Sequence, residues 1–324
     1  MKTMQAGTRP SRRVMREVRS TFMGSLFLGL VLLHTVGCGP VSPEEAAGGA
    51  EPARGTQQDA LHTSLGLSVN GLTVNGLNVN GLTVNGLNVD GLETAAFQDW
   101  FNGEPAVRDI TMHYLVQCAV PAGEQRTFTN PVTGTTHTWH GVLGLAPGWA
   151  AGALPTLAEQ QIISACLAAH VNAYGKHVPI SVQGRTALGE AIASTPEELA
   201  TYTEEEACFF GNLFTDEGAF AAHGSTQLNK VESSLRTCGL APRDFTPSCA
   251  PIRHVGSCKN ACTWDKALGA YTECSRNGVS YPALTTRMQR PDIHQCGDGV
   301  CQASESCGTG KTFNSCAADC GPCA

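Results

Sequence analysis

Thr156-Leu157-Ala158-Glu159-Gln160-Gln161-Ile162-Ile163-Ser164-Ala165-Cys166-Leu167-Ala168-Ala169-His170 opens the best-defined helix of the chain, and its reading decides the class of fold. Threonine three residues ahead of glutamate is a capping box, in which each side chain bonds the other's backbone N–H. Gly175 supplies the stop that a left-handed C-terminal cap needs. Ile163, Cys166, His170 and Tyr174 recur at helical spacing and form one stripe. Directly beyond, Val178, Ile180 and Val182 alternate with the two-residue period of a strand. A helix that hands over to a strand in this way predicts a mixed, α+β domain.

The same pattern extends on both sides. Ala95 to Phe101 reads as a short helix, and a second follows Pro105 with Val107, Ile110, Tyr114 and Cys118 on one face. Arg126 to Val142 reads as a hairpin turning through Asn130-Pro131-Val132-Thr133-Gly134. Thr195-Pro196-Glu197-Glu198 starts another helix by the same capping logic. Short strands are expected at 208 to 214 and 218 to 222, with Glu204-Glu205-Glu206 as a solvated helix end before them. The globular domain is therefore placed at 93–250.

Ahead of it lies a tract of period five, Ser68-Val69-Asn70-Gly71-Leu72 through Asn88-Val89-Asp90-Gly91-Leu92. Leu and Val two apart point to one side of a strand, and Asn-Gly suits a corner. A β-repeat stalk over 61–92, a strip docked on the next domain, or a low-complexity spacer are the readings open to it. Residues 38–60 are rich in Gly, Ala, Pro, Glu and Gln and cannot bury enough surface to order, so they read as a tether.

Residues 1–37 read as a signal peptide, with six basic residues from Lys2 to Arg19 and an apolar run from 21 to 36 that stops at Gly37-Cys38. Met15 is an alternative start, and Ser11-Arg12-Arg13-Val14-Met15 is a fragment of a twin-arginine pattern. The apolar run is too short for a membrane span, which needs roughly 18 or more residues. The arrangement resembles a bacterial lipoprotein signal, with Thr35 where leucine is usual. That resemblance implies cleavage before Cys38 and acylation of its thiol, hence a membrane contact through N-terminal lipid.

The chain carries 15 cysteines. With Cys38 lipidated, the other 14 divide evenly around a change in composition. Eight are Cys118, Cys166, Cys208, Cys238, Cys249, Cys258, Cys262 and Cys274, and six are Cys296, Cys301, Cys307, Cys316, Cys320 and Cys323. All are candidates for disulfides, which persist in oxidising compartments. From 251 onward cysteines replace large apolar residues, so 251–324 is expected to be a disulfide-rich, loop-dominated module. Without the leader the chain has 15 basic and 27 acidic residues. That balance excludes a nucleic-acid surface.

Few motifs promise chemistry. Cys320-Gly321-Pro322-Cys323 matches a redox dithiol but lacks the strand and helix that would activate it. Gly308-Thr309-Gly310-Lys311-Thr312 has Glu305 where a P-loop needs glycine. Cys166 and His170 stand one helical turn apart, yet a Cys118 to Cys166 bridge between two helices explains the cysteine better. His137 and His140 face opposite ways on a strand. Cys258, Cys262 and Cys274 with His254 and His294 lack the spacing of a zinc site, and no cofactor is expected beyond weak calcium binding at Asp298, Glu305 and Asp319.

The order of leader, Asn-Gly-Leu tract, α+β domain and a tail reading Cys296-Gly297-Asp298-Gly299-Val300-Cys301 to Asp319-Cys320-Gly321-Pro322-Cys323 resembles a group of bacterial envelope lipoproteins. The resemblance implies an exported, outer-membrane-anchored or secreted protein and carries no activity with it. The expected role is non-catalytic binding, adhesion or scaffolding toward an envelope or extracellular protein or glycan, with no catalytic residues. The alternative is a secreted hydrolase of polysaccharide or peptide. In that case His137, His170, Asp216 and His223 would converge, and Trp139, Trp149 and Tyr174 would line a sugar cleft.

Overall fold

The computed structural model describes residues 85–172, 175–215, 217–224, 228–236 and 251–324, together with Leu77, Val79 and Leu82. Cys38, Cys238, Cys249, Tyr174, Asp216, the leader, the tether and the first repeats lie outside them. Among the described residues no helix is long and apolar enough to cross a membrane.

Capping chemistry places the helices. Asn88 caps α1 (Val89–Leu92) by accepting from Gly91 N, and Thr94 caps α2 (Ala95–Gly103) by accepting from Phe97 N. Pro105, tolerated in a first turn because it lacks an N–H, opens α3 (Pro105–Ala119). A hairpin, β1 (Gln125–Thr129) and β2 (Thr136–His140), turns where Gly134 N donates to Asn130 O at 2.8 Å. After the short α4 (Pro147–Ala150) comes the capping-box helix α5 (Leu157–His170), with both expected bonds present. The buried Glu159 carboxylate has a second use, since its Oε1 accepts from Trp149 N at 3.0 Å and locks α4 to α5.

α5 stops at His170 rather than reaching Gly175. Val171 turns extended, and Asn172 bonds both the N–H and the carbonyl of Lys176. Gly175 has φ +61° but lies beyond the helix cap.

The next segments build a five-stranded sheet in the order β3-β11-β4-β5-β7, using β3 (Ser181–Gly184), β4 (Glu204–Asn212), β5 (Gly218–His223), β7 (Ile252–Ser257) and β11 (Leu284–Met288). Only the β5–β7 pair is parallel. Between β3 and β4 runs α6 (Pro196–Thr201), capped by Thr195. β4 sits at the centre. Its Ala207 and Phe209 join the large core under α5, while Cys208 and Phe210 face a second core with Phe220, Ala222, Cys258, Cys274 and Tyr281. Burial on both faces explains its unbroken apolar run.

Two expectations need correction here. Glu204, Glu205 and Glu206 are the start of β4, not a helix end. Residue 250 is also no boundary of the fold, because β7 and β11 are strands of the central sheet. The cysteines of this stretch supplement a core that apolar residues already fill.

A three-stranded sheet, β10-β9-β8, lies beside the second core, formed by β8 (Cys262–Asp265), β9 (Ala270–Arg276) and β10 (Val279–Pro282) after the single-turn α7 (Cys258–Ala261). The tail begins with β12 (His294–Gln295), which pairs with β6 (Glu232–Ser233) of the body. It continues through β13 (Lys311–Thr312), β14 (Ser315–Cys316) and α8 (Ala317–Cys320).

Six disulfides are present among the described residues. Cys118–Cys166 pins α3 to α5, Cys208–Cys258 pins β4 to α7, and Cys262–Cys274 crosses from β8 to β9. Cys296–Cys316, Cys301–Cys320 and Cys307–Cys323 close the tail on itself. None of the six joins the two groups of cysteines. Cys320 and Cys323 pair outward with different partners, which leaves no dithiol in that motif.

The repeat is not a stalk where it is described. Leu77, Val79, Leu82, Leu87 and Leu92 are buried in the large core, and Val89–Leu92 are helical instead of extended. Units of one leucine each bury little surface alone, and the body beside Trp149 gives Leu87 and Asn85 a partner.

Candidate functional site

Buried polar groups lie along both α3 and α5. One turn before Cys118 stands Tyr114, whose ring lies 5.1 Å from that of His113 and 5.1 Å from that of His170. Its hydroxyl is 3.3 Å from His177 Nδ1. His170 ends α5 one turn beyond Cys166. The helix pairing that places the disulfide therefore also brings the two histidines together.

Deeper in the body, Arg236 donates from Nε to Glu206 Oε1 at 2.8 Å, and the Thr286 hydroxyl donates to Glu206 Oε2 at 2.7 Å. The guanidinium lies over the Phe209 ring at 5.9 Å. Burial pushes His170 well below the ordinary histidine pKa, and the positive charge of Arg236 adds to the effect. Burial takes His113 down to about 4, assisted by His177 and opposed by Asp109. Both imidazoles are thus neutral at pH 7. Among the described residues His113 Nε2, His170 Nε2 and Arg236 Nη2 are buried without a hydrogen-bond partner.

At the outer end of α3, Asp109 accepts from Trp139 Nε1 at 2.8 Å and lies 3.0 Å from His137 Nδ1. Its carboxylate holds the hairpin against α3. His223 belongs elsewhere, with its Nδ1 3.1 Å from His254 Nε2 across β5 and β7. Burial lowers the pKa of both. The structure therefore spreads His137, His170 and His223 over different surroundings. Trp139 and Trp149 are core residues, 2% and 1% exposed, which removes the expected sugar cleft. The exposed tryptophan is Trp264, at 42%, set edge-on to Tyr271 at 4.8 Å on the β8–β9 pair.

A third cluster fastens the tail. His294 Nδ1 lies 2.8 Å from Ser304 Oγ, which lies 2.8 Å from Ser233 Oγ of the body. Both serines are buried. No local motif announces this cluster, because Ser233 meets His294 only through the β6–β12 pairing.

Two groups bring potential metal ligands within 4.8 Å of one another, Cys118, Cys166 and His170, and Cys296, Glu305, Cys316 and Asp319. The four sulfurs are consumed in disulfides and are not thiolate ligands. Asp319 accepts from Gly297 N and Gly299 N, and Asp298 from Val300 N and Gln302 Nε2, so amide donors already hold these carboxylates. Burial raises the pKa of Glu305. His254 lies against His223, and Cys258, Cys262 and Cys274 are held in disulfides.

Comparison with protein-family models, with curated proteins and with solved structures gives no match.

Proposed function

We propose that the chain is an exported envelope protein, held on a membrane by lipid at Cys38, whose disulfide-locked body binds a protein or glycan partner without catalysis. The six disulfides carry this reading, since bonds of that density persist in an oxidising compartment. The dispersal of His137, His170 and His223, and the burial that keeps His170 neutral, support a body without a shared catalytic centre. Trp264 and Tyr271 are the surface offered to the partner, on a sheet that Cys262–Cys274 keeps rigid. Growth with labelled palmitate tests the anchor: label is expected on the wild type and absent from Cys38→Ala, and equal labelling sinks the reading. Retention on immobilised envelope polysaccharide or protein should fall for Trp264→Ala.

A second reading, a hydrolase, is favoured by the 2.8 Å contact between His294 and Ser304, with the Asp292 carboxyl near enough to influence His294. It requires Ser304 to react with a fluorophosphonate probe. A protein that stays unlabelled excludes it.

A further inference from the structure

Leu77, Val79, Leu82, Leu87 and Leu92 are each at most 3% exposed, so every described leucine of the repeat enters the core of the body. Upstream of Asn88, the described residues of the tract make their polar contacts through the main chain. Leu87 N donates to Trp149 O at 3.0 Å, Arg126 Nε donates to Leu87 O at 2.6 Å, and Trp149 Nε1 donates to Asn85 O at 2.7 Å. Leu82 N donates to Val79 O at 3.0 Å. At Gly86 any Cβ would meet Gly152 backbone at 2.4 Å, so close approach demands glycine there.

These contacts use the leucine, the valine, the glycine and the backbone, which are the parts the units share. Thr83-Val84-Asn85-Gly86-Leu87 is identical to Thr73-Val74-Asn75-Gly76-Leu77. The last unit differs because Asn88 caps α1 and fixes the junction with the body.

We propose that the units upstream of Asn88 are interchangeable occupants of one docking strip, which reads leucine at five-residue spacing. The occupant is this chain's own tract, in any register displaced by a multiple of five. The number of units then sets how much chain stands between the body and its N-terminal end, and the body does not change when that number does. Upstream of Leu77, Ser68-Val69-Asn70-Gly71-Leu72 repeats the Val-Asn-Gly-Leu of the docked units.

Deletions in the full exported chain test this. Removing Asn78–Leu82 places Leu72, Val74 and Leu77 where Leu77, Val79 and Leu82 dock. Removing Thr73–Leu82 places Leu67, Val69 and Leu72 there. Removing only Asn78–Gly81 places Thr73 and Asn75 at the sites of Leu77 and Val79. The five- and ten-residue deletions are expected to keep the wild-type Tm within about 2 °C, and the four-residue deletion to lose roughly 5–10 °C. Hydrogen exchange at the Leu87 amide gives a second readout, with protection retained in the five- and ten-residue deletions. Should the four-residue variant fail to fold, Leu82→Asn in the otherwise intact chain replaces it. A five-residue deletion as damaging as the four-residue one overturns the proposal. So does a four-residue deletion or Leu82→Asn that costs nothing, because the strip would then not be reading the leucines.

Discussion

Lowering the pH from 7 to 5 should weaken the body by about 2 kcal/mol through His113 alone. Its pKa falls from 6.5 to about 4 on folding, mainly because burial penalises the charged ring. The unfolded chain therefore takes up a proton below pH 6.5 that the folded chain refuses until about pH 4. Stability is complete above pH 6.5 and declines as the pH falls through that window. With 1.36 kcal/mol per pKa unit, the full loss is about 3 kcal/mol and the loss at pH 5 about 2. His170 acts in the same direction, since it is also held neutral by burial. Asp292 and Glu305, whose pKa values burial raises, act oppositely and soften the decline. Guanidinium unfolding of the oxidised protein at pH 7, 6 and 5 measures the slope, and His113→Gln should flatten it by the share given to His113. An unchanged slope in that variant would refute the assignment of the acid sensitivity to the α3 cluster.

Other expectations follow from single contacts. Replacing Cys118 and Cys166 together with alanine opens a 48-residue loop and should cost about 4 kcal/mol by chain entropy, read as a lower denaturation midpoint. Glu206→Gln leaves the Arg236 guanidinium buried without its charge partner and should cost about 3 kcal/mol, and a loss below about 0.5 would show the pair to be dispensable. Asp319→Ala strips the acceptor from Gly297 and Gly299 and should speed amide exchange in the tail while leaving exchange in β4 unchanged.

The parts of the fold legible in the sequence were those decided by neighbours along the chain. Thr156 and Glu159 make a capping box in three residues, and Asn130 to Gly134 make a turn in five. Cys118 and Cys166 each stood on a predicted helical stripe, so the bridge between them followed from local patterns. Sheet membership did not. β11 enters between β3 and β4 from some eighty residues away, and nothing local in Leu284 to Met288 tells it from a strand of the tail. Glu206 misled for a related reason. Three consecutive glutamates read as solvated until Arg236 and Thr286, thirty and eighty residues distant, supply the partners that let one of them be buried. The clusters along α3 and around Ser304 suffered the same fate, because their members meet only after the sheet and the β6–β12 pair form. Trp139 and Trp149 show the converse error, where size alone suggested a ligand surface and their N–H groups instead found Asp109 and Asn85 inside.

The cysteines play two different parts. In the body, Cys118, Cys166, Cys208, Cys258 and Cys274 are buried among Phe209, Phe210, Phe220 and the aliphatic face of α5, so they fill space that apolar side chains also fill. In the tail, Phe313 and Cys316 are the buried apolar side chains, while Cys301, Cys307 and Cys323 are exposed. There the bonds stand in place of a core. Reductant reaches exposed cysteines first, and a segment without a core keeps only its hydrogen bonds to hold its loops once the disulfides open. Graded reduction should therefore release the tail while the body keeps its sheet. Among the described residues, the β6–β12 pair, the His294, Ser304 and Ser233 contacts and the Phe313 N–H donated to Lys230 O at 3.1 Å then join tail to body, which makes this short junction the place where the two part.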